Sequence, residues 1–393
     1  MTETRTERIR SDIENLAGFS AVEGMGCTRY SYTREFAQAR DYIVNEMKKA
    51  GLSVREDAAG TVVGRMEGGD PSAPIIMTGS HFDTVKTGGR FDGIAGVVAA
   101  LEAARVLNEE GFRPRQAIEF VAMPEEEGAR FGGGLFASRA MCGRLYENEL
   151  ESYRDEQGVS MAQAMRDYGL EPDKIGQARR SAGEIGLFLE LHIEQGPVLE
   201  NEARDIGVVE AIVGLKCLEV LVSGRSDHAG STPMDMRADT VLASAKAMVA
   251  GTEKALALGE GTVVTFGRVE TRPGAFNIVA NETGFCIDCR SKSMACVDSV
   301  IDSIRASLER SCGENPGLSF RMEEKLEAQP VLMKPEMQDM LEELAAEAGF
   351  SSRRILSGAG HDAMIMGSIC DVAMIFVPVS YTHLRAHETR GNL

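Results

Sequence analysis

Residues 74–85 read PIIMTGSHFDTV, residues 93–107 read GIAGVVAALEAARVL and residues 117–123 read AIEFVAM. The first opens with a brief apolar run, 74–78, closed by Gly79-Ser80, and its length suits a buried strand. The second is helix-like, and the third is again a short apolar run bounded by polar residues. This strand–helix–strand rhythm predicts an α/β core with a mainly parallel sheet. Upstream, the spacing of Phe36, Ala39, Ile43 and Met47 predicts an amphipathic helix over 34–50 that stops at Gly51. Short strands are expected over 52–55 and 61–66.

The character of the chain changes near Glu210. Residues 217–222, 263–268 and 283–290 alternate like strands, and 239–257 and 296–311 read as helices. This predicts an inserted α+β domain over 210–329, a sheet with helices on one face. The first domain is expected to be discontinuous, over 1–209 and 330–393, with a helix at 337–348 and an apolar strand at 373–377. A length of 393 residues favours two domains in any case.

Composition excludes several classes of function. Hydrophobic content of 43% and charged content of 26% are those of a soluble globular protein. The first sixteen residues are polar, unlike a signal peptide, and no apolar run is long enough to span a bilayer, so a cytoplasmic location is expected. A formal net charge of −18 repels nucleic acid and anionic membranes. The eight cysteines are scattered; Cys286 and Cys289 form a C-x-x-C pair, but residues three apart on a strand face opposite sides. Reduced thiols are expected.

Four of the six histidines, His81, His192, His228 and His361, sit in polar, glycine-punctuated segments beside carboxylates. Just past the first strand, His81 and Asp83 are two apart. In extended chain both point the same way, so Asp83 could hold one ring nitrogen while the other binds metal; a structural His–Asp hydrogen bond is the alternative. Asp92 follows a flexible loop and opens a helix, where a carboxylate can bridge two cations or simply cap the helix. Glu125, Glu126 and Glu127 end a buried strand. Adjacent like charges are costly unless a cation sits among them. One can bind metal while its neighbour acts as general base, and a solvated acidic turn is the alternative. His192 ends another alternating apolar stretch and shares a face with Glu194. Such oxygen and nitrogen donors suit zinc or manganese rather than a thiolate site.

HFDTV (81–85), GRFDG (89–93), EEEGARF (125–131), LHIEQGPVLE (191–200), DHAGSTPM (227–234), NIVA (277–280), IDCR (287–290) and SGAGHDA (357–363) follow one another over most of the chain. In this the sequence resembles the amidase, hydantoinase and carbamoylase branch of the M20 metallopeptidase-like family. The resemblance implies a di-metal hydrolase core with an inserted lid and dimerisation domain, and a homodimer. It implies two divalent cations per subunit, Zn2+ or Mn2+. His81 and His192 would hold one, Glu127 the other, and Asp92 would bridge them. Glu126 would be the general base and Asp83 would orient His81. His228 would polarise the substrate carbonyl, from the partner subunit or its own, and Arg290 would hold the substrate carboxylate. Gln195, Asn277 and His361 would line the substrate pocket. The implied reaction is hydrolysis of a ureido or amide C–N bond in a small carboxylated substrate. Allantoate, and with it purine catabolism, is expected ahead of N-carbamoyl-L-amino acids or β-ureidopropionate.

One departure stands out. Family members carry a late histidine, in a GxSHxPxE-like segment, that completes the second metal's ligands. Here Phe376-Val-Pro is followed by VSYTHLRAHET (379–389). That tail reads as the translation of a transposon adapter used in sequencing libraries, not as native protein. His383 falls near the missing ligand's position but is offset, and His387 overshoots it. The second cation is therefore expected to bind weakly, and a catalytically impaired binding protein on the same fold is the alternative to an active enzyme.

Overall fold

The computed structural model describes residues 4–22, 24 and 26–379. The chain divides into two compact units. One runs through Glu210 and adds Met333–Ile355 and the stretch from Gly360; the other is Ala211–Leu332 with Leu356–Ala359.

The first unit is built on a mixed sheet with the strand order Ser53–Glu56, Val62–Met66, Ile118–Met123, Ile75–His81, Ile185–Ile193, Asp371–Val377, Ile206–Ile212. The middle of it is parallel: Ile75–His81 pairs parallel with both of its neighbours, as does Ile185–Ile193 with Asp371–Val377. The flanking pairs are antiparallel. The first strand is longer than the sequence pattern predicts. Apolar content ends at Thr78, yet pairing continues through Gly79 and Ser80 to His81, which lies opposite Met123. Backbone hydrogen bonding carries the strand past its apolar stretch.

Helix Arg34–Lys49 buries Phe36, Ala39, Ile43 and Met47, all fully covered. Each of the three large side chains contributes about 1.5–3 kcal/mol of burial. Thr33 caps the helix, its side chain accepting from Phe36 N. Helix Ile94–Glu109 packs on the strands behind it through small residues. A Cβ on Gly96 would fall 2.2 Å from Leu191 O and 2.7 Å from Ser80 Cβ, so only glycine lets the helix lie this close. The sequence reading did not resolve helix Thr6–Gly18 or strand Ile206–Ile212.

The second unit is a five-stranded antiparallel sheet with Gly214–Ser223 and Glu282–Ser291 at its centre. Helices Thr240–Leu258 and Met294–Glu314 cover one face, burying Ala243, Ala247, Val300 and Ile304 against Val220, Phe285, Ile287 and Cys289. Cys289 is thus in the core while Cys286 lies on the opposite, less buried face. The expected strand over 263–268 is realised only as Val263–Thr265, and a separate strand, Val269–Arg272, follows it. Strand Ser319–Ala328 escaped the sequence reading because only Phe320 and Met322 alternate toward the core, and from Glu323 on it is largely polar and solvent-facing. Among the described residues, no helix is long and apolar enough to cross a membrane.

Candidate metal centre

Parallel α/β sheets present ligands at the carboxyl ends of their strands. Here His81 ends one strand, Met123 leads another into Glu125–Glu127, and His192 lies opposite Phe376 near the end of a third. Thr78 pairs with Leu189, and three more residues along each strand bring His81 level with His192.

The two imidazoles meet edge to edge, Nε2 to Nε2 at 3.4 Å, and both are buried. Their other nitrogens are already committed. His192 Nδ1 lies 2.9 Å from Ile193 O, and His81 Nδ1 lies 3.2 Å from Asp83 O. A carbonyl can only accept, so each Nδ1 carries a proton, and a ring that gives up its Nε2 proton turns a lone pair inward. Asp92 Oδ1 joins them, 3.2 Å from His192 Nε2 and 3.6 Å from His81 Nε2. With the Nε2 protons displaced, three electron-pair donors converge, and this donor set fits a divalent cation. Donor atoms of His81, Glu126 and Glu127 also lie within 4.8 Å of one another, as do those of Glu190, His192 and His361.

The surrounding chain fixes this geometry. Gly93 follows Asp92 with φ +63°, and a Cβ there would fall 2.6 Å from His81 Nδ1. Gln195 donates to both Asp92 oxygens at 3.2 and 3.1 Å, so its side chain braces the carboxylate between the histidines. Asp83 acts differently from the expectation: its backbone oxygen is nearest the His81 ring, with its carboxylate 3.6 Å away. That carboxylate instead accepts from Glu126 N at 3.1 Å and Glu127 N at 3.2 Å, holding the acidic loop in place. The loop bearing Asp83 is itself pinned by buried Arg29, which donates to Phe82 O at 2.6 Å while its backbone exchanges hydrogen bonds with Thr84.

Several residues take other roles than the sequence pattern suggests. Glu125 does not join the donor groups; it is buried and its Oε1 accepts from Phe131 N, bracing the turn. Glu194 lies beyond the strand and accepts from Val198 N and Leu199 N, both at 2.8 Å. His361 is buried with its ring centroid 4.5 Å from that of His192. Glu190 was missed, although it precedes His192 by two in an alternating strand, and the period-two rule applied to Glu194 points back to it as well. Its carboxylate is buried and accepts from Ser80 Oγ at 2.8 Å and Ala363 N at 2.9 Å, tying three segments beneath the histidines. His383 lies outside the described residues, as does His387.

The electrostatics are those of crowded, buried carboxylates. Burial pushes Glu127 up to about 8, and the Asp92 charge adds to it. Burial likewise holds Glu126 well above the usual carboxylate range, with Glu127 adding to the shift. Burial opposes ionisation at Asp92 too, but hydrogen bonds from His192 and His81 outweigh it and hold Asp92 well below its ordinary value. Burial disfavours the His81 imidazolium; the charge of Glu126 and bonds to Asp83 and Asp92 outweigh that and raise it well above an ordinary histidine. Such a field attracts positive charge, whether protons or metal ions.

The remaining expected site residues lie in the second unit. His228 is exposed and sits opposite Ile278 in a two-stranded ribbon. Its Nδ1 accepts from Gly230 N at 3.1 Å and Ser231 N at 3.2 Å. This leaves Nε2–H as an outward donor. Asn277 is adjacent, its backbone oxygen accepting from Ala229 N at 2.9 Å. Arg290 lies near the end of Glu282–Ser291, on the sheet face away from the helices.

The profile of peptidase family M20/M25/M40 matches residues 77–390. The chain belongs to this family. Among M20-family relatives, an N-carbamoyl-L-amino-acid amidohydrolase of Paenarthrobacter aurescens is 45% identical over 378 residues, covering 96% of this chain and 91% of that protein. The allantoate amidohydrolase of Escherichia coli is 35% identical over 372 residues, covering 95% and 90%. A solved hydantoinase/carbamoylase family amidase from Burkholderia ambifaria superposes with a TM-score of 0.90 at 29% identity, covering 97% and 93%. This M20-family chain is accordingly a metal-dependent hydrolase of amide-type C–N bonds.

Proposed function

We propose that the chain hydrolyses the ureido C–N bond of an N-carbamoyl α-amino acid, releasing the amino acid, ammonia and CO2. The observation that carries this reading is the 45% identity to the Paenarthrobacter aurescens enzyme, against 35% to the allantoate amidohydrolases of Escherichia coli and Bacillus subtilis. Allantoate, the substrate favoured by the motifs, is the second reading, because it offers the same ureido group beside a carboxylate.

His81, His192, Asp92 and Glu127 would hold two divalent cations, zinc or manganese. Bound there, such cations supply Lewis acidity at the scissile carbonyl and acidify the attacking water. Glu126 Oε2 lies 3.8 Å from His81 Nε2, inside the donor cluster. We assign it the general base, which takes the water's proton and returns it to the leaving nitrogen. Burial favours that assignment, since a carboxylate with raised proton affinity can both accept and hold the proton. His228, with Nε2–H outward, would donate to the substrate carbonyl oxygen. Arg290 would pair with the substrate carboxylate, and Asn277, Gln195 and His361 would line the pocket.

The second unit would serve as lid and dimerisation module. Leu242, Val249 and Leu256 recur every seven residues along helix Thr240–Leu258, all three exposed, as an apolar stripe suited to a second copy of the chain. Sedimentation should give a dimer, and a strictly monomeric active enzyme would remove this part of the reading.

The substrate is tested by steady-state kinetics on N-carbamoyl-L-amino acids, allantoate and dipeptides, each with Zn2+ and with Mn2+. The reading expects the highest kcat/KM on an N-carbamoyl-L-amino acid. Preference for allantoate would replace it with the second reading, and preference for dipeptides would refute both.

A further inference from the structure

A guanidinium has five N–H bonds in one plane, and which of them are spent decides what it can still bind. Arg290 spends two on Asp288, side-on: Nε donates to Oδ1 and Nη2 to Oδ2, each at 2.7 Å. A third, from Nη1, goes to Gly358 O at 2.7 Å. Two N–H bonds are left, one on each terminal nitrogen. The side chain is 33% exposed, so an anion can reach them.

The clamp is built into the sheet. Asp288 and Arg290 are two apart on strand Glu282–Ser291, so both project from the same face. The strand pairs with Gly214–Ser223 along its whole length, and Asp288 lies opposite Cys217, whose Sγ is 4.0 Å from Asp288 Oδ2. The backbone beneath Asp288 is therefore fixed, and the guanidinium is held in plane by its side-on pair and by Gly358 O. A long side chain free to rotate would lose that freedom when it bound an anion; one already held in plane does not.

We propose that Asp288 is the positioning residue for Arg290: it fixes the guanidinium side-on so that its two remaining N–H bonds are presented to the substrate carboxylate. This rests on the reading of Arg290 as the anchor for that carboxylate. Two effects of Asp288 oppose each other. Its negative charge lowers the local attraction for an anion, while its clamp pre-orients the donors. Coulomb's law alone would have Asp288→Asn tighten anion binding; positioning has it weaken. The sign of the change separates the two.

The test uses the metal-replete enzyme and a substrate pair, an N-carbamoyl amino acid and its carboxamide counterpart. Asp288→Asn should raise KM for the carboxylate about tenfold, the loss of one charge-assisted hydrogen bond, with kcat within about twofold of the parent. KM for the carboxamide should not move, which a general loss of structure would not spare. Asp288→Ser should behave alike, so that the result does not hang on one variant's folding. Arg290→Met is the control on the underlying reading, and should erase the preference for the carboxylate. If Arg290→Met does so while both Asp288 variants leave KM unchanged or lower it, the positioning role is refuted and the anchor stands. If Arg290→Met leaves the preference intact, the anchor reading fails and the positioning role goes with it.

Discussion

Asp83→Asn is the substitution that most sharply probes how the acidic loop is held. The side chain is buried, and its two oxygens accept one backbone N–H each, from Glu126 at 3.1 Å and Glu127 at 3.2 Å. Asparagine is nearly isosteric but has one acceptor oxygen. It can satisfy one of those N–H groups; toward the other it turns an NH2, donor against donor. The loss is at least one hydrogen bond to a charged group, about 1.5–3 kcal/mol. An opposing effect is present, because removing the Asp83 charge relieves repulsion on Glu126 and Glu127. Burial, not Asp83, is the larger cause of their raised proton affinity, so that relief is the smaller quantity. Net metal affinity should therefore fall about 10- to 100-fold, as 1.5–3 kcal/mol converts to an equilibrium. Competition with a chromophoric chelator measures it directly, with thermal unfolding in parallel. Metal affinity within about twofold of the parent would refute the argument that these two hydrogen bonds position the loop.

Glu126→Gln should abolish turnover, by about 10²–10⁴-fold for a lost general base, while elemental analysis finds its metal content unchanged. Substantial turnover would remove Glu126 from that role. Gly93→Ala forces a Cβ to within 2.6 Å of the His81 ring at φ +63°, so it should displace the ring and lower both the unfolding temperature and metal affinity; an unaltered metal affinity would show that the ring tolerates the intrusion. Chelation should abolish activity, and Zn2+ or Mn2+ should restore it. In chelated protein Glu127 holds its proton up to about 8, and His81 is raised well above its ordinary value. A cation needs both deprotonated, so its uptake should release protons and its affinity should climb with pH through about 8. Calorimetry in buffers of different ionisation enthalpy reads that release, and a buffer-independent heat at pH 7 would contradict it.

What local pattern encodes was legible in the sequence. The strand–helix–strand rhythm around His81 needed only apolar periodicity, and the carboxylates and histidines at strand ends were conspicuous because a buried strand leading into Glu125–Glu127 makes little sense without a counter-charge. What escaped depends on contacts distant in sequence. Glu190 matters through Ser80 and Ala363, 110 and 173 residues away. Asp83 serves mainly backbone N–H groups more than forty residues on, where the two-residue spacing to His81 suggested only the ring. Strand Ser319–Ala328 shows one-sided burial only at Phe320 and Met322, too short a stretch to read as a strand. Arg290 was singled out by motif, but the residue that orients it is visible only where the register of the sheet is known.

The central claim is that His81, His192 and Asp92 form a cation site at the ends of the parallel strands. Anomalous diffraction from crystals grown with Zn2+ or Mn2+ tests it most directly. The account predicts a peak within about 2.0–2.2 Å of both Nε2 atoms and of an Asp92 oxygen. A fully active crystal with its only anomalous peak elsewhere would contradict it.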